Sequence, residues 1–198
     1  MAMMTVQGDL FHSQPAPPVP GLGLVFDAVS ASEEATLIAH IDAAPLAPFQ
    51  FGQWHGKRLT VHYGSAYDFS RHRLDPAPPF PPWLAAARDL LAPQAGLDPA
   101  ALQAALLIRY DPGAGIGWHR DRPHYQDVLG LSLGAECTLR LRRRVDGGFE
   151  RRRVILPPRS LYRLAREVRW DWDHSIAPLA VTRWSVTLRT LRTGAGPD

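Results

Sequence analysis

Between Ala104 and Leu191 the chain is a succession of short β-type runs, and no other feature restricts its fold so tightly. They cover Leu106–Tyr110, Val128–Leu133, Cys137–Arg142, Arg152–Leu156, Ser160–Leu164, Trp172–Ile176 and Trp184–Leu191. Turn signals part them, among them Asp111-Pro-Gly, Asp146-Gly-Gly and Leu156-Pro-Pro. Runs this short, at this spacing, predict a sandwich or jelly roll.

The first hundred residues supply the flanking pieces. Ser30-Ala-Ser-Glu33 reads as a capping box, and the apolar spacing of Ala35, Ile38, Ala39 and Ile41 predicts a helix to about Ala44, stopped by Pro45 and Pro48. Pro82 suits the first turn of a second helix through Leu91, and Asp98-Pro99 caps a further short one. Residues 49–73 mix aromatics with basic residues and glycines and are expected to form short strands and loops. Residues 1–19, rich in proline, read as a tail, 20–193 as one domain, and 194–198 as a second short tail.

Apolar residues make up 45% and charged residues 21% of the 198, the balance of a globular protein. No apolar run approaches the ~20 residues that span a bilayer, and the N-terminus has no secretory pattern. Cys137 is the only cysteine, which excludes an internal disulfide, a zinc ribbon and a cysteine-held iron–sulfur cluster. The expected setting is the cytoplasm and the expected state a monomer. Net charge is +3, yet residues 140–153 alone carry +5, from seven arginines against Asp146 and Glu150, so the rest sums to −2. A local basic strip of this kind is the footprint of a polyanion partner; protection of a solvated edge strand is the bland alternative.

With cysteine excluded, a metal site must use histidine and carboxylate. Gly117-Trp-His119-Arg-Asp121 places His119 and Asp121 two apart, on one side of extended backbone. His174, isolated in the apolar run Trp172–Ile176, is the best third ligand. Two histidines and one carboxylate form the facial triad of non-haem Fe(II) oxygenases, with positions left open for co-substrate and oxygen. On the next strand Arg183, Ser185, Thr187 and Arg189 share one face, and Trp184, Val186 and Leu188 the other. Arginines at both ends of a polar face suit a dicarboxylate such as 2-oxoglutarate, because each guanidinium binds a carboxylate through two parallel hydrogen bonds.

Taken in order, Leu107–Asp121, Leu129–Gly134, Leu156–Leu161, His174–Pro178 and Arg183–Arg189 resemble the AlkB family, Fe(II)/2-oxoglutarate-dependent dioxygenases that oxidise alkyl groups on nucleic-acid bases, as in DNA repair. The resemblance covers roughly residues 20–192. It implies a mainly β fold with flanking helices, a double-stranded β-helix (jelly roll) of two sheets. It implies His119, Asp121 and His174 as iron ligands, Arg189 at the chelating carboxylate of 2-oxoglutarate, and Arg183 with Tyr110 at the distal one; Ser185 is grouped with them. It also implies decarboxylation of 2-oxoglutarate to succinate, coupled to oxidation of an N-linked methyl that leaves as formaldehyde. Two positions depart from the pattern: Ile108 stands where members often have asparagine, and Pro123 where some carry an acid that contacts the base.

The resemblance places a substrate lid over residues 49–73. Trp54, His55, His62, Tyr63 and Tyr67 are candidates for a base pocket, because aromatic rings stack on any base, and Lys57 and Arg58 for phosphate contact. Arg142, Arg143 and Arg144 of the basic strip are the second candidate contact with an alkylated DNA or RNA. The same chemistry on a protein or small molecule, and a non-catalytic jelly-roll module that binds nucleic acid, are the competing readings.

Overall fold

The strand carrying Arg183 and Arg189 lies in the middle of the larger of two sheets. In the computed structural model, which describes residues 19–51, 54–68 and 71–192, the chain runs β1 (Leu22–Val25), α1 (Ala31–Ala43), β2 (Ala47–Phe51), β3 (Trp54–Tyr63), β4 (Ser65–Asp68), β5 (Arg73–Pro76), α2 (Pro82–Gln94), a 3-10 turn (Pro99–Ala101), β6 (Leu102–Tyr110), β7 (Ile116–His119), β8 (Tyr125–Leu133), β9 (Cys137–Val145), β10 (Gly148–Leu156), β11 (Ser160–Leu164), α3 (Arg166–Trp170), β12 (Asp173–Ile176) and β13 (Arg183–Leu191). The seven-stranded sheet has the order β1-β11-β8-β13-β6-β3-β2, the four-stranded sheet β10-β9-β12-β7, and β4-β5 is a separate hairpin. The pairings are antiparallel throughout.

Alternation along the strands divides the interior in two. Residues such as Leu107, Leu129, Leu131, Val186 and Leu188 face α1 and α2, where Leu37, Ile41, Leu84 and Leu91 meet them. Val128, Leu139, Leu141, Val154, Leu156, Tyr162, Leu164 and Ile176 form a second core between the sheets. Losing one such leucine to alanine costs about 2–5 kcal/mol.

Both helices begin as their sequences require. Ser30 accepts from the Glu33 backbone at 3.2 Å while Glu33 accepts from the Ser30 backbone at 2.7 Å, a complete capping box. The second helix outruns its expected end and carries Pro93 in its last turn. Asp98 caps the 3-10 turn through the Ala100 N–H at 2.9 Å.

Several strands extend past their apolar runs. β8 begins at Tyr125, which pairs with Leu191 across a register shift that takes in the polar Gln126 and Asp127. β9 and β10 continue through their arginines, which pair across the hairpin. The run at Trp172 splits, with α3 ending at Trp170 and β12 starting at Asp173. The expected tails fall on residues outside those described, except Val19, which is buried in the second core.

Candidate metal and co-substrate site

Cross-strand pairing assembles the site. β12 pairs with β7 so that His174 stands opposite His119, their ring centroids 4.2 Å apart. Asp121 follows two residues after His119, and the ligand atoms of all three lie within 4.8 Å of one another. Nδ1 of His119 sits 2.9 Å from the Gly117 carbonyl, so that nitrogen carries the proton and Nε2 keeps its lone pair. Nε2 of His174 is 3.5 Å from Oδ2 of Asp121. Burial, with His119 nearby, pushes the His174 imidazole down to about 3. His119 is lowered too, by burial, against the pull of Asp121. Both rings are therefore neutral at pH 7, the state in which imidazole binds a metal.

Burial alone would raise the Asp121 carboxyl, but Arg189, His174, His119 and Arg169 outweigh it and hold the group well below the carboxylate range. Nε of Arg189 donates to Oδ1 at 2.7 Å, and Oδ2 faces His174. Two neutral imidazoles and one carboxylate on one side of a point form a donor set able to bind a divalent metal ion of the Fe(II) type.

The opposite wall comes from the seven-stranded sheet. Arg183, Ser185, Thr187 and Arg189 of β13 are buried, because β13 is paired on both sides and is no edge strand. Nε of Arg183 donates to Ser132 Oγ at 3.1 Å, and its guanidinium lies 5.1 Å from the Tyr110 ring centroid. Its Nη1 and Nη2 are buried without a hydrogen-bond partner. A fork of unsatisfied donors in an interior is the cradle a carboxylate fills. Tyr110, Ser185 and Arg189 line a cavity of about 630 Å³ together with the triad.

Sequence reasoning missed two residues here. The Tyr162 ring lies over Gly130, where any Cβ would come within 2.2 Å of it, and reaches the neighbourhood of Arg183 and Tyr110. Burial pushes its phenol up, so it stays protonated and able to donate. Only the small residue across the β8–β11 ladder hinted at it. Arg169 of α3, also buried, donates from Nη2 to the Arg122 and Tyr125 carbonyls at 2.7 and 2.6 Å, fixing the segment that follows Asp121.

The expected substrate contacts separate. Arg58, His62 and Tyr67 line the cavity, and Phe49 and Arg122 join them. Tyr63 does not: strand alternation turns it to the other side of β3, against the helices. Lys57 is exposed on that parity. The side chains of Trp54 and His55 lie outside the described residues.

Arg142 and Arg144 lie on the outer face of the four-stranded sheet with Arg140, while Leu139 and Leu141 point inward. Arg143 shares the inward parity and is taken up by Glu150 at 2.6 Å and Glu167 at 2.8 Å. It therefore does not share a face with its two neighbours, of which Arg142 is itself paired with Asp173 at 3.1 Å.

The comparisons with known proteins agree with this geometry. The model of the 2OG-Fe(II) oxygenase superfamily matches residues 42–192. The chain is 34% identical over 169 residues to tRNA (carboxymethyluridine(34)-5-O)-methyltransferase alkbh8 of Xenopus tropicalis, covering 80% of this chain and 25% of that one. It is 30% identical over 186 residues to the Alkylated DNA repair protein ALKBH8 homolog of Arabidopsis thaliana, covering 80% and 51%. It thus spans a quarter to a half of the length of these relatives. Among solved structures, OsALKBH1 superposes with a TM-score of 0.65 at 16% identity, over 87% of this chain and 97% of that one. A Pseudomonas putida prolyl-4-hydroxylase does so at 0.57 and 18%, over 88% and 94%. Both neighbours share the jelly-roll fold. Among the described residues no helix is long and apolar enough to cross a membrane. The chain belongs to the 2OG-Fe(II) oxygenase superfamily and is a dioxygenase of the AlkB type, dependent on Fe(II) and 2-oxoglutarate.

Proposed function

We propose that this dioxygenase oxidises an alkyl group carried by a base of DNA or RNA, releasing a methyl substituent as formaldehyde. One observation carries the reading. Trp118 lines the cavity, and the guanidinium groups of Arg140 and Arg142 stack on its ring at 5.2 and 4.5 Å, so basic side chains, with Asp173 set between Arg120 and Arg142, lead outward from the mouth of the cavity. From there Arg144, Arg151 and Arg153 continue along the outer face, with Arg142, Arg144 and Arg151 packed around Phe149. Stacking holds the planes in place; Arg140 and Arg142 spend Nε on Ser175 and Asp173, at 3.1 Å each, and leave their Nη groups for phosphate oxygens. The relatives' names, which concern tRNA and alkylated DNA, support the same reading.

Within it, His119, Asp121 and His174 would hold the iron. Bound iron and 2-oxoglutarate supply the oxidation, with decarboxylation to succinate. Arg183, with Tyr110, Tyr162 and Ser185 nearby, would fix the distal carboxylate. Arg189 keeps Asp121 ionised and oriented, and presents charge to the carboxylate nearest the metal. Ile108 is buried and apolar, so this wall offers no amide there. The roof of Phe49, Arg58, His62 and Tyr67 excludes water over the target base.

Succinate formation, measured with and without methylated single-stranded oligonucleotides, tests the proposal. Stimulation together with formaldehyde release is expected. A rate that no methylated DNA or RNA raises above the uncoupled one overturns it.

A further inference from the structure

The roof of the cavity holds polar groups that neither the metal triad nor the carboxylate cradle uses. β3 turns Arg58 and His62 inward, and Nε of Arg58 and Nδ1 of His62 are both buried without a hydrogen-bond partner. The Arg58 guanidinium lies 3.8 Å from the centroid of the Phe49 ring, which fixes its plane. Burial keeps the His62 imidazole neutral. Arg58 Nε is a donor and His62 Nδ1 one in the tautomer that protonates it; left unsatisfied, such groups are costly unless a ligand supplies the acceptor.

Charge narrows what that ligand is. Arg58, Arg120, Arg122 and Arg189 line the cavity, and among the described lining residues Asp121 is the one carboxylate, already bound to Arg189. Pro123, two residues past Asp121, adds no charge. A cationic base brought here would lose its water beside guanidinium groups and meet no acid to replace it. A group with a carbonyl or carboxylate oxygen would satisfy Arg58 directly.

We infer that the substrate group admitted above the metal is uncharged or anionic and carries an acceptor oxygen, received by Arg58 and His62, and that positively charged N-alkylated bases are turned away. The inference rests on the nucleic-acid reading above and sharpens it: Arg58 and His62 set specificity, while the basic outer face binds any sequence.

A matched pair of probes tests it. Two oligonucleotides of one sequence carry a single 3-methylcytidine or a single 3-methyluridine. The methyl sits on the same ring nitrogen in both, but the first base is a cation and the second is neutral with an additional keto oxygen. Binding is read by fluorescence anisotropy on wild-type protein loaded with Mn(II) and 2-oxoglutarate. The 3-methyluridine probe is expected to bind about tenfold tighter or better, the worth of a charge-assisted hydrogen bond. Arg58→Gln should bring the two affinities close together by weakening that probe. Equal affinity in the wild type, preference for the cation, or a preference untouched by Arg58→Gln overturns the inference and leaves the nucleic-acid reading standing. Failure of both probes to bind, with 2-oxoglutarate still turned over, overturns that reading and this inference with it.

Discussion

Nε of Arg189, on the seven-stranded sheet, donates at 2.7 Å to Oδ1 of Asp121, just beyond the four-stranded sheet's β7, so a buried ion pair joins the two layers beside the triad. Replacing Arg189 by methionine strands the carboxylate. The metal-free variant should lose about 3–5 kcal/mol of stability. Added Mn(II) should restore more stability to the variant than to the wild type, because the ion replaces the missing charge. Thermal unfolding with and without Mn(II) checks this; an equal gain in both proteins would show that Asp121 is not a ligand.

His119→Ala, Asp121→Ala and His174→Ala should each reduce succinate formation to background while far-UV circular dichroism stays that of a folded β protein. Turnover retained in any two of them would rule out the triad.

For the carboxylate cradle, Arg183→Met should weaken 2-oxoglutarate binding by about 10- to 150-fold, the worth of a charge-assisted hydrogen bond. Tyr162→Phe should weaken it by about two- to tenfold, the worth of a neutral one. Titration calorimetry with Mn(II) present reads both. An unchanged affinity in both variants would place the co-substrate elsewhere.

The arginines of the hairpin should divide by face. Replacing Arg144, Arg151 and Arg153 together with alanine should flatten the log–log salt dependence of oligonucleotide binding by about 2 units, at about 0.7 per phosphate on a single strand. Arg143→Ala should leave the slope alone and lower stability instead, because it removes a buried-side partner from Glu150 and Glu167, leaving them Arg152 and Trp172. The opposite division would mean the outer face is only a solvated edge.

Acid should loosen the protein through His62. Burial, and secondarily Arg189, lowers this imidazole from 6.5 to about 4. Between those values the unfolded chain binds a proton that the folded one refuses, so stability is full above 6.5 and falls as pH drops toward 4. The slope from this group is at most about 1.4 kcal/mol per pH unit. Urea midpoints across that range should fall less steeply in His62→Gln; identical slopes would mean that His62 is not buried as a neutral ring.

What could be read from the sequence depended on distance along the chain. His119 and Asp121 were legible because a two-residue spacing places both on one side of any extended strand. β13 announced its faces for the same reason, and the ordered motifs supplied the jelly roll. The opposed parity of Arg142 and Arg143 was equally available, and grouping them together ignored it. Tyr63 and His62 differ by the same one-residue step, but which side of β3 meets the helices depends on its pairing with β6, set some forty residues away. Tyr162 and Arg169 were invisible for a stronger reason. Nothing local marks a tyrosine that reaches over a glycine on the neighbouring strand, or an arginine whose partners are backbone carbonyls over forty residues upstream.

The triad belongs to one layer of the sandwich, and the carboxylate cradle to the other. An iron held there would rest on the smaller sheet and the residues just past its β7. 2-Oxoglutarate bound as proposed would run from Arg183 to the metal, a crosspiece between layers whose separation sets the length it can have. A dicarboxylate one carbon shorter or longer would then be refused by the gap between two sheets.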